Sequence, residues 1–242
     1  QIRPIPGSAP PGGVYPVMYY VHNMHMAWAA MNMEGRSTEA LRMARTVADH
    51  VPLDVVRQMP PMEFWLPVPY YAMARFGKWD EILSEPMPPA DMRFTTAMWH
   101  YARGLAYAAK GQADVAGAER DSLAAIEEAT PPDQVQGLNL ARPVLRVARI
   151  VLAGEIAMRG GRLDEAIEQF RTAVAGQDTL HYDEPPPWYY PVRQSLGAAL
   201  LKAGRPVEAE TVYREDLKRN PANGWSLYGL AQSLNARGRV TE

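Results

Sequence analysis

The chain has 242 residues, 47% hydrophobic and 21% charged, which is enough apolar surface for a packed core and excludes wholesale disorder. Its formal charge of −2 leaves no basic field to displace counterions from a nucleic-acid backbone, so no nucleic-acid partner is expected. With no cysteine, disulfides, thiolate zinc sites and cysteine nucleophiles are removed together.

Residues 1–13 carry Pro4, Pro6, Gly7, Pro10, Pro11, Gly12 and Gly13, cannot sustain a helix, and read as an extended lead-in. Residues 14–242 read as one helical repeat domain with units at roughly 14–51, 62–89, 94–130, 143–176, 188–221 and an incomplete 222–242. In the first unit a helix is predicted from about Tyr15 to Met33. A second follows with Ser37 as N-cap and Ala40, Leu41, Ala44 and Val47 at helical spacing, until His50-Val51-Pro52 ends it.

The second unit opens on the proline-broken stretch Phe64 to Pro69 and should be a short hairpin turning at Gly77, closed by Pro86, Pro88 and Pro89. The third is regular: Phe94–Lys110, a turn at Gly111, Asp114–Ala129, then Pro131 and Pro132. Gly111 and Gly161 lie 50 residues apart against 34 for Gly77 and Gly111, which predicts an extra turn and helix around Asp133–Pro143. The fourth unit covers about Pro143–Gly176. A stiff segment from His181 to Trp188 then leads into a helix predicted over Tyr190–Ala203, followed by Pro206–Arg219; Asp183 and Glu184 are expected to cap the helix that follows them.

One phrase punctuates these helices: a glycine, one or two polar residues, an acid, then a small or aliphatic residue. It reads Gly-Arg-Ser-Thr-Glu-Ala at 35–40, Gly-Lys-Trp-Asp-Glu-Ile at 77–82, Gly-Gln-Ala-Asp-Val-Ala at 111–116, Gly-Arg-Leu-Asp-Glu-Ala at 161–166 and Gly-Arg-Pro-Val-Glu-Ala at 204–209, with Gly238 opening a sixth. Such a phrase turns one helix back along the next, and its recurrence predicts an all-α, right-handed superhelical solenoid of antiparallel hairpins, about five to six units long. A small residue lies seven before the glycine at Gly104, Gly154, Gly197 and Ala231, and alanine lies five after it at Ala40, Ala116, Ala166 and Ala209.

On these landmarks, with Pro221 closing the fifth unit, the chain resembles the tetratricopeptide repeats over residues 15–242. Phrases such as Tyr20 to His25, Glu184 to Arg193 and Asn223 to Leu230 are similar to those of a group of bacterial tetratricopeptide proteins. Members of that group are commonly longer, which together with the start at Gln1 and the stop at Glu242 reads as a piece of a longer protein. Departures fall at Trp28 and Ile82, which replace small residues in the first two units and predict looser packing there, and at Asp216.

The resemblance implies that the first helix of each hairpin lines a concave, ligand-facing groove with residues thirteen, ten and six before the turn glycine. These are His22, His25 and Ala29; Phe64, Pro67 and Tyr71; Met98, Tyr101 and Leu105; Ala148, Val151 and Glu155; Pro191, Gln194 and Ala198; and Trp225, Tyr228 and Gln232. None is lysine or arginine, so the cationic clamp for peptide carboxylates is missing, and an aromatic groove suits proline-rich or apolar peptides already extended in solution.

The predicted function is therefore a protein- or peptide-binding module without catalysis, its contacts drawn from His22, His25, Phe64, Tyr71, Met98, Tyr101, Glu155, Gln194, Trp225, Tyr228 and Gln232. A metal-binding or metal-dependent protein is the alternative: His22 and His25 sit three apart on one helix face, with His100, Glu184 and nearby methionines to complete a site. Against it, methionine is an ordinary packing residue, and His100, eleven before its glycine, is placed to pack between helices. No cofactor is predicted, and no phosphate loop, dinucleotide fingerprint or nucleophile elbow occurs. Arg142, Arg146, Arg149, Arg159 and Arg162 read as a solvated face. A third reading is a self-associating scaffold, a homo-oligomer paired through an uncapped face at Leu227, Leu230 and Leu234. No signal or membrane-spanning segment is visible, so cytoplasm is the default expectation and no membrane partner is predicted.

Overall fold

The computed structural model describes residues 16–239, so the predicted lead-in at 1–13 lies outside the described residues. The described chain is all-α apart from one two-stranded ribbon. After a wide helical turn at Pro16–Tyr20 come α1 (Val21–Met33), α2 (Ser37–Asp49), α3 (Leu53–Gln58), a 3₁₀ stretch at Pro60–Trp65, α4 (Val68–Arg75) and α5 (Trp79–Ser84). Then follow α6 (Arg93–Ala109), α7 (Ala113–Ala129), β1 (Val135–Gln136), β2 (Asn139–Leu140), α8 (Ala141–Arg159) and α9 (Leu163–Asp178). The chain closes with α10 (Arg193–Lys202), α11 (Pro206–Arg219) and α12 (Gly224–Ala236).

The recurring glycine works through its backbone. Gly35, Gly77, Gly111, Gly161, Gly204 and Gly238 all have φ between +66° and +77°, the left-handed conformation that only a residue without Cβ adopts cheaply. The next residue then donates its N–H back five positions to a carbonyl of the last helical turn, as Gln112 does to Tyr107 and Arg162 to Ala157, both at 2.9 Å. Gly35, Gly111, Gly161 and Gly204 thus each end one helix and turn the chain into the next, so that α1 packs on α2, α6 on α7, α8 on α9 and α10 on α11. Where helices pack, small residues permit close approach. A Cβ on Gly154 would stand 2.7 Å from the Phe170 ring, and one on Gly197 would stand 2.4 Å from Tyr213.

Neighbouring pairs share one core through α2 with α4, α4 with α6, α6 with α8, and α9 with α10. Its largest buried side chains include Trp28, Trp188, Tyr101 and Phe170. Burying each contributes roughly 2–3 kcal/mol of apolar transfer free energy. Trp28 and Ile82, the two departures from small residues, are each only 1% exposed and belong to this core.

Four expectations need correction. No extra helix lies between α7 and α8: after Pro131 and Pro132 the chain forms the β1–β2 ribbon, turning at Gly137 (φ +58°), and α7 and α8, at 17 and 19 residues, take up most of the remaining interval between Gly111 and Gly161. The helix expected from Tyr190 starts at Arg193, because residues 181–192 leave the helical path. Ser37 is the first residue of α2 and Arg36 the N-cap, without a side-chain cap. Asp183 caps no helix. Its carboxylate accepts the Leu138 N–H at 3.0 Å and the Glu184 N–H at 3.0 Å, which ties the segment to the ribbon.

The arginine series is also engaged rather than simply solvated. Arg146 and Arg149 reach Glu127 at 3.0 and 2.6 Å, and Arg142 donates to the Glu128 carbonyl at 2.8 Å, binding α8 to the carbonyl end of α7.

Candidate functional site: an aromatic floor and its own covering segment

The first helices of the middle pairs, α4 and α6, present Tyr71 and Tyr101 toward the interior of the array, where residues 185–190 lie over them. Tyr189 stacks on Tyr71 with centroids 4.7 Å apart and planes within 4°, and its hydroxyl meets that of Tyr101 at 3.0 Å. Trp188 meets Tyr101 edge-on at 5.3 Å and is 1% exposed. Burial raises the phenols of Tyr71, Tyr101, Tyr189 and Tyr190 above their ordinary range, so all four are neutral hydrogen-bonding groups at neutral pH.

Polar side chains fix the segment's backbone. Asn139 donates to the His181 carbonyl at 3.1 Å and accepts its N–H at 2.8 Å, while Gln177 donates to the Tyr190 carbonyl at 3.0 Å and accepts the Val192 N–H at 2.8 Å. Each amide thus supplies a donor and an acceptor together, as a neighbouring strand would. Asn32 adds a bond to the Tyr189 carbonyl at 3.3 Å. Because Pro185, Pro186 and Pro187 have no N–H to satisfy, this stretch can be sheltered at low cost in unpaired donors.

The positions expected to line an open groove therefore divide. Tyr71, Met98, Tyr101 and Gln194 are buried, and His25 is 5% exposed, stacked on Trp28 at 5.3 Å with Phe64 at 5.8 Å. Burial first, then the neighbouring His22, lowers the His25 imidazole to about 3. Phe64, His22 and Glu155 are half-buried, whereas Trp225, Tyr228 and Gln232 on α12 are exposed. The reason is physical: the space over Tyr71 and Tyr101 is occupied by the chain's own proline and aromatic residues, an occupant that positions counted from turn glycines do not show. Trp188, Tyr189 and Tyr190 lie outside the positions counted from the turn glycines, although their run of rings beside prolines is visible in the sequence.

The metal candidates do not assemble. His25 is enclosed by rings, His100 bonds Glu119 at 2.6 Å, and Glu184 accepts from the Tyr182 hydroxyl; among the described residues no three His, Cys, Asp or Glu side chains are grouped to hold an ion. Glu119 also takes Arg103 at 2.8 Å; burial opposes its ionisation, but the two partners outweigh it and hold the carboxyl below its usual range.

Two clefts border the covering segment. One, a space of about 760 Å³, runs between α1 and residues 177–193, floored by Met26, Ala29, Met33, Leu180 and Trp188. Its rim carries Asp178, bound by Arg193 at 2.6 Å and Arg219 at 2.9 Å. A second, polar cleft of about 260 Å³ lies among Arg75, Trp79, Tyr101, Glu155, Tyr190 and Ser195. Among the described residues no helix is long and apolar enough to cross a membrane.

The geometry defines an all-α protein of successively packed helix pairs with a self-covered aromatic floor. No protein-family model matches the sequence, and no curated protein matches it.

Proposed function

We propose that the chain is a tetratricopeptide-like solenoid of right-handed superhelical form that binds extended peptide segments of a protein partner, without catalysis. The observation that carries this reading is residues 185–190 lying on Tyr71 and Tyr101. The aromatic floor takes a proline-aromatic strand in cis, and the 760 Å³ cleft continues along the same strand with a further apolar floor. An incoming segment of similar chemistry, apolar with prolines, loses little freedom on ordering and buries its side chains against α1.

Fluorescence polarisation with labelled proline- and aromatic-rich peptides tests it. Binding is expected for the native chain and is lost in Ala30→Trp, which fills the cleft from an exposed position on α1. A panel without binders, or binding indifferent to Ala30→Trp, rejects the reading.

One observation favours a second reading, self-association through α12: Leu227 is 48% and Tyr228 69% exposed on that helix. Light scattering decides it, a strict monomer at high concentration being the negative result.

A further inference from the structure

The polar cleft of about 260 Å³ is a separate feature, lined from α4, α5, α6, α8 and α10 rather than from α1, and shares only Tyr189 and Tyr190 with the peptide cleft. Arg75, at the end of α4, is largely buried there. Its guanidinium lies 3.9 Å over the Trp225 ring and 5.1 Å over Tyr190, and Nη2 donates to Gln194 at 2.6 Å. That is the only hydrogen bond it makes among the described residues, and Nε is buried with no partner. No carboxylate of the described chain forms an ion pair with it.

A buried cation without an ion-pair partner is costly, and burial lowers the Arg75 guanidinium from its ordinary value, outweighing the opposing influence of Tyr189, Tyr190, Tyr101 and Asp216. On the opposite wall Glu155 stands 3.7 Å from Arg159, whose guanidinium lies over Trp79 at 5.8 Å. Arg75 and Arg159 together outnumber the one carboxylate, so the cleft has a net positive lining. Between the walls lie the hydroxyl pairs Tyr101–Tyr189 at 3.0 Å and Tyr190–Ser195 at 2.9 Å, with ring faces that offer flat apolar contact.

We propose that this cleft binds a small organic carboxylate carrying an aromatic ring, with the carboxylate on Arg75 and the ring against Trp79 and the tyrosines. The ligand supplies the direct ion-pair partner that Arg75 lacks and is confined by the cleft to a ring with a short side chain. An ammonium group is disfavoured, since Arg159 already faces Glu155. The site is independent of the peptide reading and stands or falls separately.

Calorimetric titration with 3-phenylpropionate and, in parallel, its neutral amide tests the assignment. The carboxylate is expected to bind the native chain at least tenfold more tightly than the amide, and Arg75→Gln to lose that difference. Ser195→Phe, which fills the cleft while leaving Arg75 in place, is expected to weaken the carboxylate at least tenfold. Should Arg75→Gln fail to fold, the native carboxylate-to-amide comparison and Ser195→Phe still decide. No binding to the native chain at millimolar concentration, equal binding of acid and amide, or an indifferent Ser195→Phe overturns the proposal.

Discussion

Tyr189 lies flat on Tyr71, with ring centroids 4.7 Å apart and planes within 4°. The contact joins a proline-rich connection to the first helix of a distant pair, and so closes the interior of the array with its own chain. Offset or parallel ring pairs of this kind add about 0.5–1.5 kcal/mol beyond the area they bury. The connection is therefore part of the core rather than a tether between helices.

Truncating Trp188 tests this directly. The indole is 1% exposed and touches the rings of Tyr71, Tyr101, Tyr189 and Tyr190. Trp188→Ala is expected to cost about 3–5 kcal/mol in urea unfolding. A loss below about 1 kcal/mol would mean that the segment only rests on the surface.

The glycine turns between paired helices were legible because each depends on a single residue. A glycine at φ +77°, as at Gly111 or Gly161, leaves its mark whatever surrounds it. Gly154 and Gly197 were legible for a related reason, since close approach of Phe170 and Tyr213 demands the absence of a side chain. The covering segment was legible only as non-helical, from Pro185, Pro186 and Pro187. Its destination depends on Asn139, Gln177, Tyr71 and Tyr101, which the fold gathers from separate helices and the ribbon. Periodicity places a residue on a face but cannot say what lies over that face. For the same reason Arg75, two residues before its turn glycine, was outside the positions counted as groove-lining.

Two glycine substitutions should fail by different mechanisms. At Gly161 a Cβ meets nothing within 4 Å, so Gly161→Ala carries only the left-handed backbone cost, about 1–2 kcal/mol, and Gly161→Asn should recover part of it. At Gly154 the added methyl meets Phe170 at 2.7 Å, so Gly154→Ala is an overpacking change of about 1–3 kcal/mol that asparagine worsens. Unfolding midpoints of the four variants distinguish them. An asparagine at 161 no better than alanine would count against the backbone account.

The His25 imidazole makes acid stability measurable at one residue. Its folded value is lowered from 6.5 to about 3, so the folded chain holds it neutral while the unfolded chain protonates it. Its contribution is present above pH 6.5 and is lost as pH falls from there toward 3, amounting to about 2 kcal/mol by pH 5. Glu63, raised by burial despite accepting from Thr95, runs the other way and favours the folded chain as pH falls. The difference between native and His25→Phe unfolding free energies isolates the histidine: the variant keeps a ring on Trp28 and should lose this part of the slope. Parallel pH profiles for the two proteins would refute the assignment.

Asp216, where the repeat pattern expects a small residue, is completely buried between α11 and α12. Its carboxylate accepts from Asn220 at 3.0 Å and from the Ser226 hydroxyl, and Ser226 is itself fully buried. Because the Ser226 hydroxyl pairs with Asp216, and without it one oxygen of the buried Asp216 carboxylate loses its partner while Asn220 holds the other, removing either residue should cost about 1–3 kcal/mol, as Asp216→Ala or Ser226→Ala. Losing both leaves fewer unpaired groups than the two single losses added together, so the double variant should be less destabilised than their sum, by about 0.5–3 kcal/mol of coupling. A urea double-mutant cycle measures this. Strict additivity would mean that Asp216 and Ser226 act separately, leaving α12 held to α11 by apolar contact such as Tyr213 against Gly229 and by the Arg237–Glu210 ion pair.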